Sequence, residues 1–297
     1  MLSKPLDASV AVRFFMPSPA LAPYISTYYL TEAHLPPGEF VEDWLHPEWA
    51  NLRFASGGPW SSALGDGPLE TMPDAILTGP TSLAAHFHLE GGARAWGVGI
   101  LPLGWLRLLG VRASDHVDRT VALADLPAGA ALAALPGIVF GSGTPNAAEE
   151  AARIDAYLLE LLHRSPPHED EQRIRTAHTA LIDEDISSVA DLAERLAISS
   201  RSLERLSLRA FGFSPKLLLR RQRFLRSLAQ FMLDPSLTWI RTLDFHYVDQ
   251  AHFVRDFRRF MGMSPRRYAA LDHPVLRAAA QGRSAAAGAA VQALHRP

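Results

Sequence analysis

The chain has 297 residues, 48% hydrophobic and 20% charged, an ordered globular composition with room for two cores. It contains no cysteine, which excludes disulfides, thiolate metal sites and a cysteine nucleophile. The net charge of −2 hides a split: residues 1–169 carry 9 Lys/Arg against 18 Asp/Glu (−9), while residues 200–267 carry 14 against 5 (+9). Such polarity points to a polyanion partner for one half, with a merely solvated basic face as the alternative.

The N-terminus, with Lys4, Pro5 and Asp7 in quick succession, lacks the apolar core of a signal peptide. No run approaches the ~18–20 apolar residues that span a bilayer, so the expected location is cytoplasmic with no membrane partner. Residues 10–125 are rich in Gly, Pro and aromatics. Asn51–Phe54 and Arg94–Val98 read as strands, and Gly91-Gly92 between His86–Leu89 and Arg94–Ile100 reads as a hairpin turn. With a helical piece around Leu103–Leu109, residues 1–145 are expected to form a β-rich sandwich or barrel.

Asn146–His163 reads as a helix, with Glu149 and Glu150 in its first turn and Ile154, Leu158, Leu161 and Leu162 as an apolar stripe. That stripe either docks on its own domain or dimerises. Pro166-Pro167 then breaks the chain, so residues 146–168 are read as helix and linker. Residues 169–272 read as helical throughout. The Ala/Gly/Gln-rich tail, residues 273–297, has little to bury and is expected to be disordered.

Within the helical half, residues 199–216 and 249–266 repeat at a spacing of fifty. Ser199 matches Asp249, Leu203 matches Phe253, Arg205 matches Arg255, and Gly212-Phe213-Ser214-Pro215-Lys216 returns as Gly262-Met263-Ser264-Pro265-Arg266. Each copy is a capping residue, an Arg-bearing amphipathic helix and a glycine stop. Val189, Leu192, Ala193 and Leu196 make a short helix before the first copy, with a tight turn at Ala197-Ile198. A short helix, a turn and a helix with polar side chains at its start make helix-turn-helix geometry. Between the copies, Pro215–Met232 reads as a helix ~25 Å long, able to set two such units about one turn of DNA apart, ~34 Å.

The strings Ser199-x-x-x-Leu203-Glu204-Arg205, Gly212-x-Ser214-Pro215-Lys216 and Arg223-Phe224 resemble the AraC/XylS transcription regulators. So do Asp249-Gln250-Ala251-His252-Phe253 and Asp256-Phe257-Arg258-Arg259-Phe260-x-Gly262-x-Ser264-Pro265. The resemblance covers residues 170–270. It implies a sequence-specific DNA-binding regulator that works as a homodimer, with RNA polymerase as a candidate partner and a small-molecule effector. The base-facing candidates carried over are Arg201, Glu204 and Arg205 in the first unit, and Gln250, Ala251 and Arg255 in the second. Glu204 either accepts from cytosine or holds Arg205 or Arg201 in place, and the second reading is preferred. Phosphate contacts are assigned to Ser199, Lys216, Arg220, Arg221, Arg258 and Arg259. The second unit departs from the family: His246 stands where a Gly is usual, and Arg241-Thr242 where an Ile-Ala pair is. If that turn needs a positive φ, His tolerates it poorly, so the first unit is expected to dominate binding.

Pro19–Ile25, Gly97-Val98-Gly99-Ile100 with Pro102, and Asp118-Arg119-Thr120-Val121 resemble the cupin-related N-terminal domain of some of these regulators. The fold class expected is therefore α+β multidomain: a β-rich cupin-like domain, then an all-α domain with two helix-turn-helix units on a long helix. Trp44, Trp49, Trp96, His86 and His88, with Trp60 and Trp105, are the candidate pocket residues; core packing is the alternative. Gly79, His86, His88, Glu90 and Gly97 nearly spell the metal-binding cupin motif. Only Leu89 separates His88 from Glu90, however, and on one straight strand His86 and Glu90 sit ~13 Å apart, too far for all three to hold one ion. No metal, cofactor or catalytic residue is assigned. The rival readings are a cupin-type metalloenzyme with a helical appendage and a regulator whose N-terminal domain only dimerises.

Overall fold

The computed structural model describes residues 9–141, 144–233 and 239–287. Its first half holds ten described strands: β1 (Val10–Phe15), β2 (Ile25–Ala33), β3 (Phe40–Leu45), β4 (Ala50–Ser56), β5 (Trp60–Leu64), β6 (Glu70–Thr71), β7 (Ala75–Thr78), β8 (Ala85–Glu90), β9 (Arg94–Ile100) and β10 (Thr120–Ala122). They form two antiparallel sheets, ordered β1-β2-β9-β4-β7-β10 and β3-β8-β5-β6. The architecture is the α+β one expected, a β-rich N-terminal half followed by a helical half. Strand alternation separates the faces. On β8, Phe87 and Leu89 are buried between the sheets, while His86, His88 and Glu90 face the other way.

The Gly91-Gly92 turn is not a hairpin, because β8 pairs with β3 and β5 whereas β9 pairs with β2 and β4. The turn carries the chain from one sheet to the other. Glycine is needed at Gly91, where a Cβ would lie 2.3 Å from the carbonyl oxygens of Leu35 and Pro36.

Helix α1 (Pro102–Gly104) runs into a π-helical turn, Trp105–Leu109, and α2 (Leu135–Val139) precedes α3 (Ala147–Arg164). The Asn146 side chain caps α3 by accepting from the Ala148 and Glu149 amides. The stripe of α3 docks on its own sheet: Ile154, Leu158 and Leu162 share one core with Tyr28, Leu52, Phe54 and Val98. Burying each such aliphatic side chain contributes roughly 1.5–3 kcal/mol. Buried Glu150 fixes the helix by accepting from Arg94 Nη2 at 2.9 Å and Trp96 Nε1 at 2.7 Å. That face of α3 is buried within the chain's own core.

The Pro166-Pro167 segment is held at both ends. Arg107 donates to the carbonyls of Leu162 and Ser165 at 3.2 and 2.5 Å and pairs with Glu171 at the start of α4 (Glu171–Ile182). The helical half continues with α5 (Val189–Arg195), α6 (Ser200–Ala210), α7 (Pro215–Leu233), α8 (Gln250–Met261), α9 (Pro265–Ala269) and α10 (Pro274–Ala287). Ile174, Ala177 and Leu181 of α4 join the same core as the strands. The two halves therefore share packing and do not meet only through a tether.

The tail departs from expectation. Residues 274–287 are helical, and α10 packs on β1 and β3, the edge strands of the two sheets. Asp43, fully buried on β3, accepts from the Leu276 amide at 2.9 Å, supplying a cap that the local sequence lacks. It also bonds His273 Nδ1 at 2.9 Å. At Gly282 a Cβ would lie 2.4 Å from the Val12 carbonyl oxygen, so a small residue permits the close approach. Residues 288–297 of the tail, and Ser142 and Gly143, lie outside the described residues.

Candidate nucleic-acid interface

The first helix-turn-helix unit is regular. Ser188 and Asp191 form a reciprocal capping box at the start of α5. Ala197, at φ 51°, takes the left-handed conformation that turns the chain, with the Ala197 and Ile198 amides returning to the Glu194 and Ala193 carbonyls. Ser199 then caps α6 by accepting from the Ser202 amide. Leu203, Leu206 and Ala210 are buried, while Arg201, Glu204 and Arg205 stand exposed at the N-terminal end. Among the described residues no ion pair joins Glu204 to Arg201 or Arg205, so the structure does not show the preferred tethering role. Arg209, further along, pairs with Asp170 and braces α6 against α4.

The second unit is built differently. Its second helix, α8, is capped by Asp249, which accepts from the His252 amide at 2.6 Å. Phe253, Phe257 and Phe260 pack around Phe224 of α7. Gln250, Ala251, Arg255, Arg258 and Arg259 are exposed. Ahead of α8 the described residues hold a 3-10 turn, Trp239–Thr242. His246 does not take a positive φ; among the described residues only Asp118 and Ala197 do so outside glycine. The turn is instead organised by Asp244, which pairs with Arg226 and accepts from the His246 amide at 2.9 Å. Burial would raise the Asp244 carboxyl, but Arg226 and the His246 N–H overcome it and hold the group below the usual carboxylate range. The expected strain at His246 is absent.

Two assigned phosphate contacts are redirected. Arg221 is 1% exposed and points into the first half: Nη1 donates to the carbonyls of Thr81 at 2.8 Å and Glu48 at 3.2 Å, with the guanidinium 4.0 Å from the Trp49 ring. Burial lowers its pKa to about 9, with Asp118 and Glu48 pulling the other way. Arg220 pairs with fully buried Asp256 of α8 and ties the long helix to the second recognition helix. Ser199, Lys216, Arg258 and Arg259 stay exposed, and so do Arg266 and Arg267, which the sequence reading passed over. A basic pair at the start of a helix just after Gly262-x-Ser264-Pro265 was the signal available for them.

Between the sheets lies a cavity of about 120 Å³. Val12, Trp60, Ile76, Phe87 and Leu89 supply apolar wall, and a polar cluster of Tyr29, Glu48, Asn51 and Arg53 interrupts it. Arg53 Nε donates to the Tyr29 hydroxyl at 3.0 Å and pairs with Glu48, while Tyr29 donates to Asn51 Oδ1 at 2.9 Å. Tyr29 can lie here because Gly97 carries no Cβ, which would sit 2.0 Å from the ring. Val275, Leu276 and Ala279 of α10 complete the wall.

Of the candidate pocket residues, Trp96 and Trp60 reach this cavity. Trp49 lies in the seam against His178, Phe211 and Arg221. Trp44, His86 and His88 face outward from the β3–β8 sheet, where Glu42 accepts from both imidazoles. Trp105 bonds the Val111 carbonyl at 2.8 Å. A side chain's sheet face was legible from alternation, but which face held the cavity was not. Wall residues also touch the DNA-binding half: Glu48 and Thr81 hold Arg221, and His46 Nε2 lies 2.7 Å from the Tyr268 hydroxyl of α9.

Residues 192–270 match the family model described as "Helix-turn-helix domain". These residues are an AraC-type helix-turn-helix domain. The chain is accordingly a DNA-binding transcription regulator, and α6 and α8 both lie within the matched residues. No curated protein matches the chain. Among solved structures, ToxT from Vibrio cholerae is similar at 10% identity and TM-score 0.43, covering 88% of this chain and 98% of that one. An apo structure of a ToxT point variant from Vibrio cholerae strain SCE256 gives 15% and 0.40, with 88% and 97% covered. An oxalate oxidase shares 11% identity at TM-score 0.23 over 55% of this chain and 74% of its own. Likenesses this distant do not bear on what the chain binds. Among the described residues no helix is long and apolar enough to cross a membrane.

Proposed function

We propose that the regulator reads two successive stretches of major groove, chiefly through α6 and secondarily through α8, and that the cavity between its sheets takes a small effector. The observation carrying this reading is the contrast in availability between the starts of α6 and α8 and the arginines nearer the core on α6 and α7. Arg201, Glu204 and Arg205, and Gln250, Ala251 and Arg255, stand exposed at the starts of capped helices. The arginines nearer the core are committed to internal partners. Arginine reads guanine and glutamine reads adenine through paired hydrogen bonds, worth ~1–3 kcal/mol of discrimination each. Lys216, Arg258 and Arg259 position the protein on phosphates.

Effector occupancy reaches the DNA-binding half by three contacts that start at the cavity wall: Thr81 and Glu48 to Arg221, His46 to Tyr268, and α10 itself. In this reading the protein acts as a homodimer and touches RNA polymerase, and sedimentation of the DNA complex tests the first point. The cupin-type metalloenzyme alternative is disfavoured because His86 and His88, whatever they hold, lie outside the cavity that would take a substrate. Selection from a random duplex library, followed by anisotropy titration of the selected site, tests the reading. Recovery of a bipartite consensus supports it, and recovery of no consensus overturns it.

A further inference from the structure

The outer face of the β3–β8 pair gathers a set of donors that DNA reading does not use. Antiparallel register sets Glu42 opposite His88 and Trp44 opposite His86. Strand alternation then turns Glu42, His86 and His88 to the same side, away from the cavity. Although His86 and His88 are two residues apart, both rings swing onto one carboxylate: Nε2 of His86 lies 3.2 Å and Nε2 of His88 lies 3.1 Å from Glu42 Oε2. One ligand atom from each of the three residues falls within 4.8 Å of the others.

We propose that Glu42, His86 and His88 form a binding site for a divalent transition metal of the zinc class, with three protein ligands and an open position. Bonds of ~2.0–2.1 Å at tetrahedral angles set ligand atoms ~3.3 Å apart, and both nitrogen-to-oxygen separations are close to this value. The imidazoles are also held in place. Trp44 stacks on His86 with centroids 4.3 Å apart, and Phe40 on His88 at 4.4 Å, both within 13° of parallel. Stacking occupies the ring faces and leaves the Nε2 edges aimed at Glu42. The histidine side chains are 26% and 24% exposed and Glu42 50%, so the site is half-sheltered yet open to an entering ion. Two imidazoles and one carboxylate suit zinc better than calcium or magnesium, which take oxygen ligands.

The site differs from the near-cupin motif in the sequence. Glu90 is not a member: its carboxylate accepts from the Gly38 amide at 3.1 Å. The third ligand comes from the neighbouring strand. The next residue after Glu42 is Asp43, which caps α10, and Trp44 packs against the core around Phe253 and Phe257. A metal here would therefore brace the strand on which both the tail helix and the second helix-turn-helix unit rest.

The test uses the full chain after chelator treatment, titrated with zinc chloride by calorimetry, and with cobalt(II) for its visible spectrum. One equivalent is expected to bind, with cobalt absorption of the intensity typical of a tetrahedral site. Loss of an outer-shell partner alone costs about 10–100-fold in metal affinity. Each of His86→Ala, His88→Ala and Glu42→Gln should therefore weaken binding by at least about tenfold. His34→Ala, an exposed histidine elsewhere, should leave it unchanged. Glu42→Gln keeps the shape and polarity of the site, so it separates lost ligation from lost folding. Absence of saturable binding, or stoichiometric binding kept in the His86→Ala/His88→Ala protein, overturns the proposal.

Discussion

His178 lies on α4 where the helical half meets the strands, and its environment makes a quantitative prediction. It is 3% exposed, its Nε2 has no hydrogen-bond partner, and Trp49 and Phe211 approach it edge-on. Burial lowers its pKa from 6.5 to about 4, with the nearby Arg221 charge adding to the effect. Between those two values the unfolded chain binds a proton that the folded chain refuses. Stability from this group is thus fully present above pH 6.5 and falls as pH drops towards 4. The gap corresponds to about 3 kcal/mol, of which most is lost by about pH 4.5. Carboxylates held low against the opposing effect of burial, Asp170 by Arg173 and Arg209 and Glu171 by the His168 amide and Arg107, also cost stability in acid, so the comparison must be made between proteins. Urea unfolding of the wild type and His178→Leu at about pH 7.5 and pH 4.5 isolates the histidine. The variant should lose about 2–3 kcal/mol less than the wild type across that interval. Equal losses would refute the claim that a buried neutral histidine sits in the seam.

Asp43→Ala removes the cap on α10 and the partner of His273 together. Losing a cap costs about 0.5–2 kcal/mol, and an uncompensated buried group about 1–3 kcal/mol, so unfolding should occur at lower denaturant. Hydrogen exchange should quicken first in residues 274–282. Lys216→Ala should weaken binding to selected and unrelated duplexes alike and reduce the slope of log affinity against log salt by ~0.9; an unchanged slope would remove Lys216 from the phosphate contacts.

The paired recognition helices were legible because their determinants are local: a capping residue, apolar positions three or four apart, and a glycine that must take a positive φ. Gly212 and Gly262 do so, at 83° and 67°. Arg221 was not legible as an interface residue. It follows Arg220 on an arginine-rich face of α7, and only the packing of Trp49 and the Thr81 carbonyl against that face distinguishes the two. The docking of α10 was hidden for a related reason. Its small residues look unable to bury anything, yet they allow close approach to β1, and its cap comes from Asp43, on a strand far away in the sequence. The Glu42 partner of His86 and His88 depended on strand register, which the Gly91-Gly92 signal misassigned by suggesting a hairpin.

The central claim is a bipartite DNA reader whose first unit dominates: α6 follows the capped helix α5, whereas among the described residues α8 is preceded by the 3-10 turn Trp239–Thr242. Anisotropy titration of a selected operator with Arg205→Ala and Arg255→Ala tests it most directly. Loss of one bidentate contact is worth ~1–3 kcal/mol, or about 5- to 150-fold. The account predicts that Arg205→Ala falls towards the upper end of that range and exceeds the loss in Arg255→Ala. Equal losses, or a greater loss for Arg255→Ala, would contradict it.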